Sequence, residues 1–153
     1  MSQSILIQGV GTYLPDRVVT NEEICHELGV GAKGPDWIVE KTGVRERRFE
    51  VPITDGKAID PQMSEIVFGE RAAKIALKSA CLPATGLDGL WYVSCTQDEY
   101  FSQLATQLHY RLRMRDDAYA LELNSGCGGL IQAIGITRDM MMGNGHRRCL
   151  IVA

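Results

Sequence analysis

A single cysteine, Cys127, stands among three glycines, Gly126, Gly128 and Gly129, and a thiol in such surroundings is suited to covalent chemistry. Glycines let the backbone turn sharply, with positive φ where needed, and let another molecule approach the sulfur without Cβ atoms in the way. The residues that follow read as a helix: Leu130, Ile131, Ala133, Ile134, Ile136, Met140, Met141 and Met142 cover more than one helical face before Gly143 and Gly145. A thiol at the first turn of that helix meets unpaired backbone N–H groups and the positive end of the macrodipole, which favours thiolate, the nucleophilic form. The same residues also suit a small buried apolar side chain, a common fate of free cysteine. Spacing alone leaves both readings open.

A second group of chemically capable residues runs from Lys41 through Arg45, Arg47 and Arg48, broken by Glu46 and preceded by Trp37. A cationic patch beside an indole can hold a nucleotide-bearing ligand by stacking and phosphate pairing. A solvated charged turn accounts for the same residues. The five cysteines, at 25, 81, 95, 127 and 149, form no CxxC pair, so neither a disulfide framework nor a structural zinc site is signalled. Reduced thiols suit a cytosolic setting. His26, His109 and His146 are far apart in sequence, and no metal is expected.

A chain of 153 residues is long enough for one domain, and a single core is the default expectation. A net charge of −3 offers no general attraction for nucleic acid, and no DNA- or RNA-binding motif is present. The N-terminus lacks a basic segment followed by a long apolar run, and no stretch approaches ~18 apolar residues, so a cytoplasmic protein without a membrane span is expected.

The elements that would position the cysteine follow from periodicity. Residues 4–10 read as a first strand, broken by Gly9, Gly11 and Pro15. Thr20 to Glu23 has the form of a capping box, with Glu23 reaching back, and predicts a helix to about Leu28. A short helix follows with Asp36 as its N-cap and Gly43 as its stop. After an exposed loop over 50–61, apolar residues at helical spacing predict a long helix over 63–80. Residues 90–95 read as a strand, and Ser102 caps an amphipathic helix through Arg113. A mostly buried strand at 118–123, the cysteine turn, a helix buried nearly all round and a closing strand at 148–153 complete the order. Alternating strands and helices argue a three-layer α/β arrangement with a mixed or largely parallel sheet. The cysteine helix is too apolar to face water, so another polypeptide is expected to cover it.

Three segments carry a family resemblance: GTYLPDRVVTNEEI at 11–24, PDWIVEKTGVRERRF at 35–49 and LNSGCGGLIQAI at 123–134. Together, and in order over nearly the whole chain, they resemble the N-terminal half of β-ketoacyl-acyl-carrier-protein synthase III and related thiolase-fold enzymes. The resemblance implies an α/β fold, one half of a layered αβαβα architecture with a mixed sheet. It implies that Cys127 accepts an acyl group from a coenzyme A or acyl-carrier-protein thioester, with no permanently bound cofactor. It places Trp37 near the adenine of coenzyme A and Lys41 where relatives usually have a coenzyme-contacting Arg; lysine keeps the charge but loses the planar fork. Phe101 corresponds to a loop residue that reaches across a homodimer interface to line the partner's acyl pocket, although an ordinary core aromatic would look the same. The row Ser125, Gly126, Cys127, Gly128, Gly129, Leu130 departs from the family's small-small-Cys-small-Gly-aromatic pattern, which bears on the acyl group accepted. The family's catalytic His and Asn come from a C-terminal half, and none of His26, His109 or His146 lies in a comparable motif. Two functions remain in view: an acyltransferase completed by that half, and a non-catalytic thiolase-like partner subunit.

Overall fold

The computed structural model describes residues 4–29, 34–49, 64–96 and 103–153. In chain order they form β1 (Val18–Thr20), α1 (Asn21–Leu28), α2 (Pro35–Thr42), β2 (Glu46–Arg48), α3 (Glu65–Ser79), β3 (Gly89–Val93), α4 (Leu104–Arg111), β4 (Tyr119–Leu123), α5 (Gly129–Asn144) and β5 (Cys149–Val152). The chain divides into two compact units, Met1–Tyr13 with Glu65–Ala153 and, separately, Leu14–Ser64, where one core was expected. The elements from β1 to β2 are short, and among their described residues Val19 and Asn21 are the buried ones.

In the larger unit three strands pair in parallel in the order β4-β3-β5, with Leu90 opposite Ala120 on one side and Leu150 on the other. Every residue of β3 is buried, the continuous pattern of a parallel strand covered on both faces. Its side chains alternate between two cores. Leu90 and Tyr92 join Ile66, Ala73, Leu104 and Leu108 under α3 and α4, whereas Trp91 and Val93 join Ala133 of α5. The arrangement is therefore helices, sheet, helix, as the alternation of elements predicts.

Two elements differ from expectation. Residues 4–10 form no strand; Leu6 and Ile7 are exposed, and the segment instead lies against α3 through its glycines. A Cβ on Gly9 would come 2.5 Å from Ala76 O, and one on Gly11 2.3 Å from Ala72 O, so backbone meets backbone and nothing larger fits. Conversely, the charged run read as a cationic patch or turn contains β2, which pairs antiparallel with β1.

The smaller unit shows its caps clearly. Thr20 Oγ1 accepts from Glu23 N at 3.3 Å and Gly29 closes α1 in the left-handed region, as predicted, but the Glu23 carboxylate takes Arg17 at 2.6 Å instead of reaching back. The N-cap of α2 is Gly34, not Asp36, because Pro35 occupies the first helical position with φ already set. Asp60, Pro61, Met63, Phe101 and Ser102 lie outside the described residues. Among the described residues no helix is long and apolar enough to cross a membrane.

Asp88 ties the entry to β3 to the entry to β5. Its Oδ2 accepts from Arg147 N at 2.6 Å and Arg148 N at 2.9 Å, and its Oδ1 accepts from the Arg115 guanidinium at 2.6 Å. Burial pushes this carboxyl up, but the two backbone N–H groups and Arg115 outweigh it and leave the group below its ordinary value. The stabilisation is therefore present above the unfolded value, about 3.9, and is lost as pH falls through the lower folded value. Asp88→Ala is expected to cost about 1.5–3 kcal/mol in urea unfolding at neutral pH, with the gap to wild type narrowing in acid below the folded value. A constant gap across that range would show that packing, not charge, holds this junction.

Candidate active site

The thiol sits where β4 hands over to α5. Ser94 N donates to Leu123 O at 3.3 Å, keeping the ends of β3 and β4 side by side. Beyond Leu123 the chain passes Ser125 at φ −144°, ψ 26°, turns at Gly126 with φ +49°, and closes one 3-10 turn over Gly126–Gly128 before α5 begins. Cys127 lies within that turn and is exposed in this chain.

The three glycines do different things. Gly126 supplies the left-handed backbone that reverses the chain. Gly128 has no positive φ, and only Gln132 Nε2, at 3.7 Å, would touch a Cβ there. Gly129 is buried, and a Cβ on it would come 2.3 Å from Val93 Cγ1, so α5 starts hard against the end of β3. Gly129→Ala sets two effects against each other: alanine improves a helical position by about 1 kcal/mol, while overpacking costs about 1–3 kcal/mol. A net loss of stability in thermal melts is expected, with altered alkylation of Cys127 as the start of α5 shifts. A stabilised variant would mean Val93 yields freely.

The electrostatics of the turn are simple. Helix α5 has no side-chain cap and no acidic residue in its first turn, and its first N–H, that of Gly129, donates to Gly126 O. Among the described residues, one side-chain hydrogen bond reaches the turn, from Ser125 Oγ to Gln132 Oε1 at 2.6 Å. Sequence reading missed both residues, and the available signal was a lone polar Gln132 in an apolar run. At the end of β3, Thr96 N donates to Ser94 Oγ at 3.1 Å and Thr96 Oγ1 to Glu65 Oε2 at 3.2 Å, fixing the neighbouring strand end.

Cys149 provides a contrast. Burial pushes its thiol up, against hydrogen bonds from Tyr119 at 3.3 Å and Thr137 at 3.9 Å, and it is only partly accessible. Cys81, Cys95 and Cys127 are the exposed thiols, and Cys127 lies in the turn between β4 and α5.

Trp37 and Lys41 lie one turn apart on α2 in the smaller unit. The indole is 41% exposed, and Lys41 Nζ pairs with Glu40 at 2.6 Å. Part of the cationic run is occupied structurally: Arg47 donates to Asn21 Oδ1 at 2.7 Å, and Arg48 to Asp16 O at 3.0 Å. Arg45 and Lys41 are the exposed remainder at that end of α2.

Comparison with known proteins bears on this arrangement. Over 146 residues, 95% of its length, the chain is 31% identical to β-ketoacyl-[acyl-carrier-protein] synthase III of Alkalilimnicola ehrlichii. The chain is similar to β-ketoacyl synthase III. It spans 42% of that relative's length, which fits an N-terminal half. Among solved structures, a tetronic acid condensing enzyme is 25% identical with a TM-score of 0.80, covering 94% of this chain and 42% of its own. The 3-oxoacyl-[acyl-carrier-protein] synthase III of Aquifex aeolicus is 26% identical with a TM-score of 0.77, covering 95% of this chain and 42% of its own. No family model matches the chain. The fold is accordingly α/β and thiolase-like, as the resemblance implied.

Proposed function

We propose that this chain is the nucleophile-bearing half of a cytoplasmic acyltransferase of the β-ketoacyl synthase III type. The observation that carries the reading is the exposed Cys127 thiol at the uncapped start of α5, in a chain similar to such synthases along 95% of its length. The Cys127 thiolate attacks the carbonyl carbon of an acyl-coenzyme A or acyl-carrier-protein thioester. The tetrahedral oxyanion collapses, the carbon–sulfur bond to the pantetheine thiol breaks, and an acyl-cysteine remains. That acyl group then passes to a malonyl thioester carbanion or to a hydroxyl or amine acceptor. No permanent cofactor is required.

Trp37 and Lys41 have the chemistry to take the adenine and phosphate end of the coenzyme, the indole by stacking and the ammonium as a point charge. Phe101 is assigned to the acyl pocket of the partner in a homodimer. A C-terminal half supplies the His and Asn that stabilise the enolate and oxyanion. Each donor of this kind is commonly worth ~2.7–4 kcal/mol, so the 153-residue chain by itself should load acyl groups far better than it condenses them.

The test is incubation of the intact protein with acyl-coenzyme A followed by mass spectrometry. An acyl adduct released by hydroxylamine supports the thioester. An unmodified protein, in the presence of its His- and Asn-bearing half, would favour the alternative of a non-catalytic thiolase-like subunit that binds acyl chains or stabilises a synthase dimer.

A further inference from the structure

The Cys127 turn has little besides its own backbone to hold it. Neither the 3-10 turn nor α5 carries a side-chain cap, and Gly126, with φ +49°, adds conformational freedom on the residue before the thiol. The exception is Gln132, three residues into α5. Its Oε1 accepts from Ser125 Oγ at 2.6 Å, while its Nε2 lies 3.7 Å from where a Cβ on Gly128 would stand. One planar amide therefore spans the turn, with its acceptor on the residue two before Cys127 and its donors over the residue after it. Gln132 is also the only polar side chain between Gly129 and Ile136. An exposed helical glutamine is ordinarily a solvated surface residue, but one that spends its acceptor on the turn ahead of its own helix is engaged locally.

We infer that Gln132 is a positioning residue for Cys127, holding the Ser125 end of the turn so that the thiol stays in register with the first N–H groups of α5. Its purpose rests on the acyl-transfer reading; its test does not. The intact protein is alkylated with iodoacetamide from about pH 6 to 9, a range that spans the usual thiol titration. The rate is read on the Cys127 peptide by mass spectrometry for wild type, Gln132→Met, Ser125→Ala and the double variant. Each single variant is expected to lower the rate roughly three- to tenfold, as for loss of one neutral hydrogen bond, and to shift its pH profile. The double variant should be no slower than the worse single one, because both break the same bond. The Cys81 and Cys95 peptides should keep their wild-type rates, and new labelling of the partly buried Cys149 would report unfolding. Should Gln132→Met unfold, Ser125→Ala, which removes one oxygen, decides the matter. A wild-type rate and pH profile in the folded single variants, or effects that add in the double, would overturn the inference. A wild type that alkylates with this dependence but never loads an acyl group would overturn the acyl-transfer reading and leave the positioning role standing.

Discussion

Cys127→Ala is expected to abolish acyl loading from acyl-coenzyme A, lowering transfer by about 10⁴-fold or more, because the proposed acyl-enzyme forms on that sulfur. The size follows from the division of labour proposed here. In that proposal Trp37 and Lys41 alter affinity, whereas the thiol is the bond-forming atom. The other four cysteines serve as internal references. Cys149 is partly buried with its thiol pushed up, Cys25 is half-buried on α1, and Cys81 and Cys95 are exposed. Peptide mapping after loading should find the adduct on Cys127 alone. Undiminished loading in Cys127→Ala would move the nucleophile to another of these thiols.

Leu90→Ala is expected to be the most damaging of the core truncations, costing about 3–5 kcal/mol. Leu90 is fully buried on the central strand, opposite Ala120 and Leu150 and within the cluster that includes Leu108 and Ala73. Its neighbours come from the strands on both sides and from helices above, so collapse around the vacated volume would strain several elements at once. For a chain of this size the loss corresponds to a drop of roughly 10 °C in Tm. The transition should also lose cooperativity at the cysteine turn, since β3 carries Val93, on which Gly129 rests. A loss below about 1 kcal/mol would mean the site repacks.

The helices and the strands of the larger unit were legible in the sequence because local chemistry dictates them, whereas β1 and β2 were not. Thr20 and Gly29 bound α1 by satisfying orphan helix groups, Gly43 ends α2 in the left-handed region, and the apolar spacing of α3 and α4 chooses their buried faces. The strand ahead of Cys127, the turn and the helix after it were legible for the same reason. What periodicity could not reveal was pairing. Residues 4–10 have a strand's composition, yet their glycines seat them on α3 and they form no ladder. The segment 118–123 reads as mostly buried, but β4 is an edge strand of the described sheet and leaves Leu121 37% exposed. Helix α5 reads as buried all round; here one face meets β3 and β5, and Leu130, Ile131, Ile136 and Met142 face outward.

By itself, then, the sequence determined that a thiol stands at a glycine-rich strand-to-helix junction, since cap residues, breakers and apolar spacing act over a few neighbouring positions. Only the tertiary structure decided that the thiol is exposed, that Gly129 is required by Val93 across the sheet, and that Gln132 reaches back over the turn. Those facts depend on atoms brought together by β3 pairing with β4 and by α5 settling on β3 and β5, distances that no run of neighbouring residues encodes.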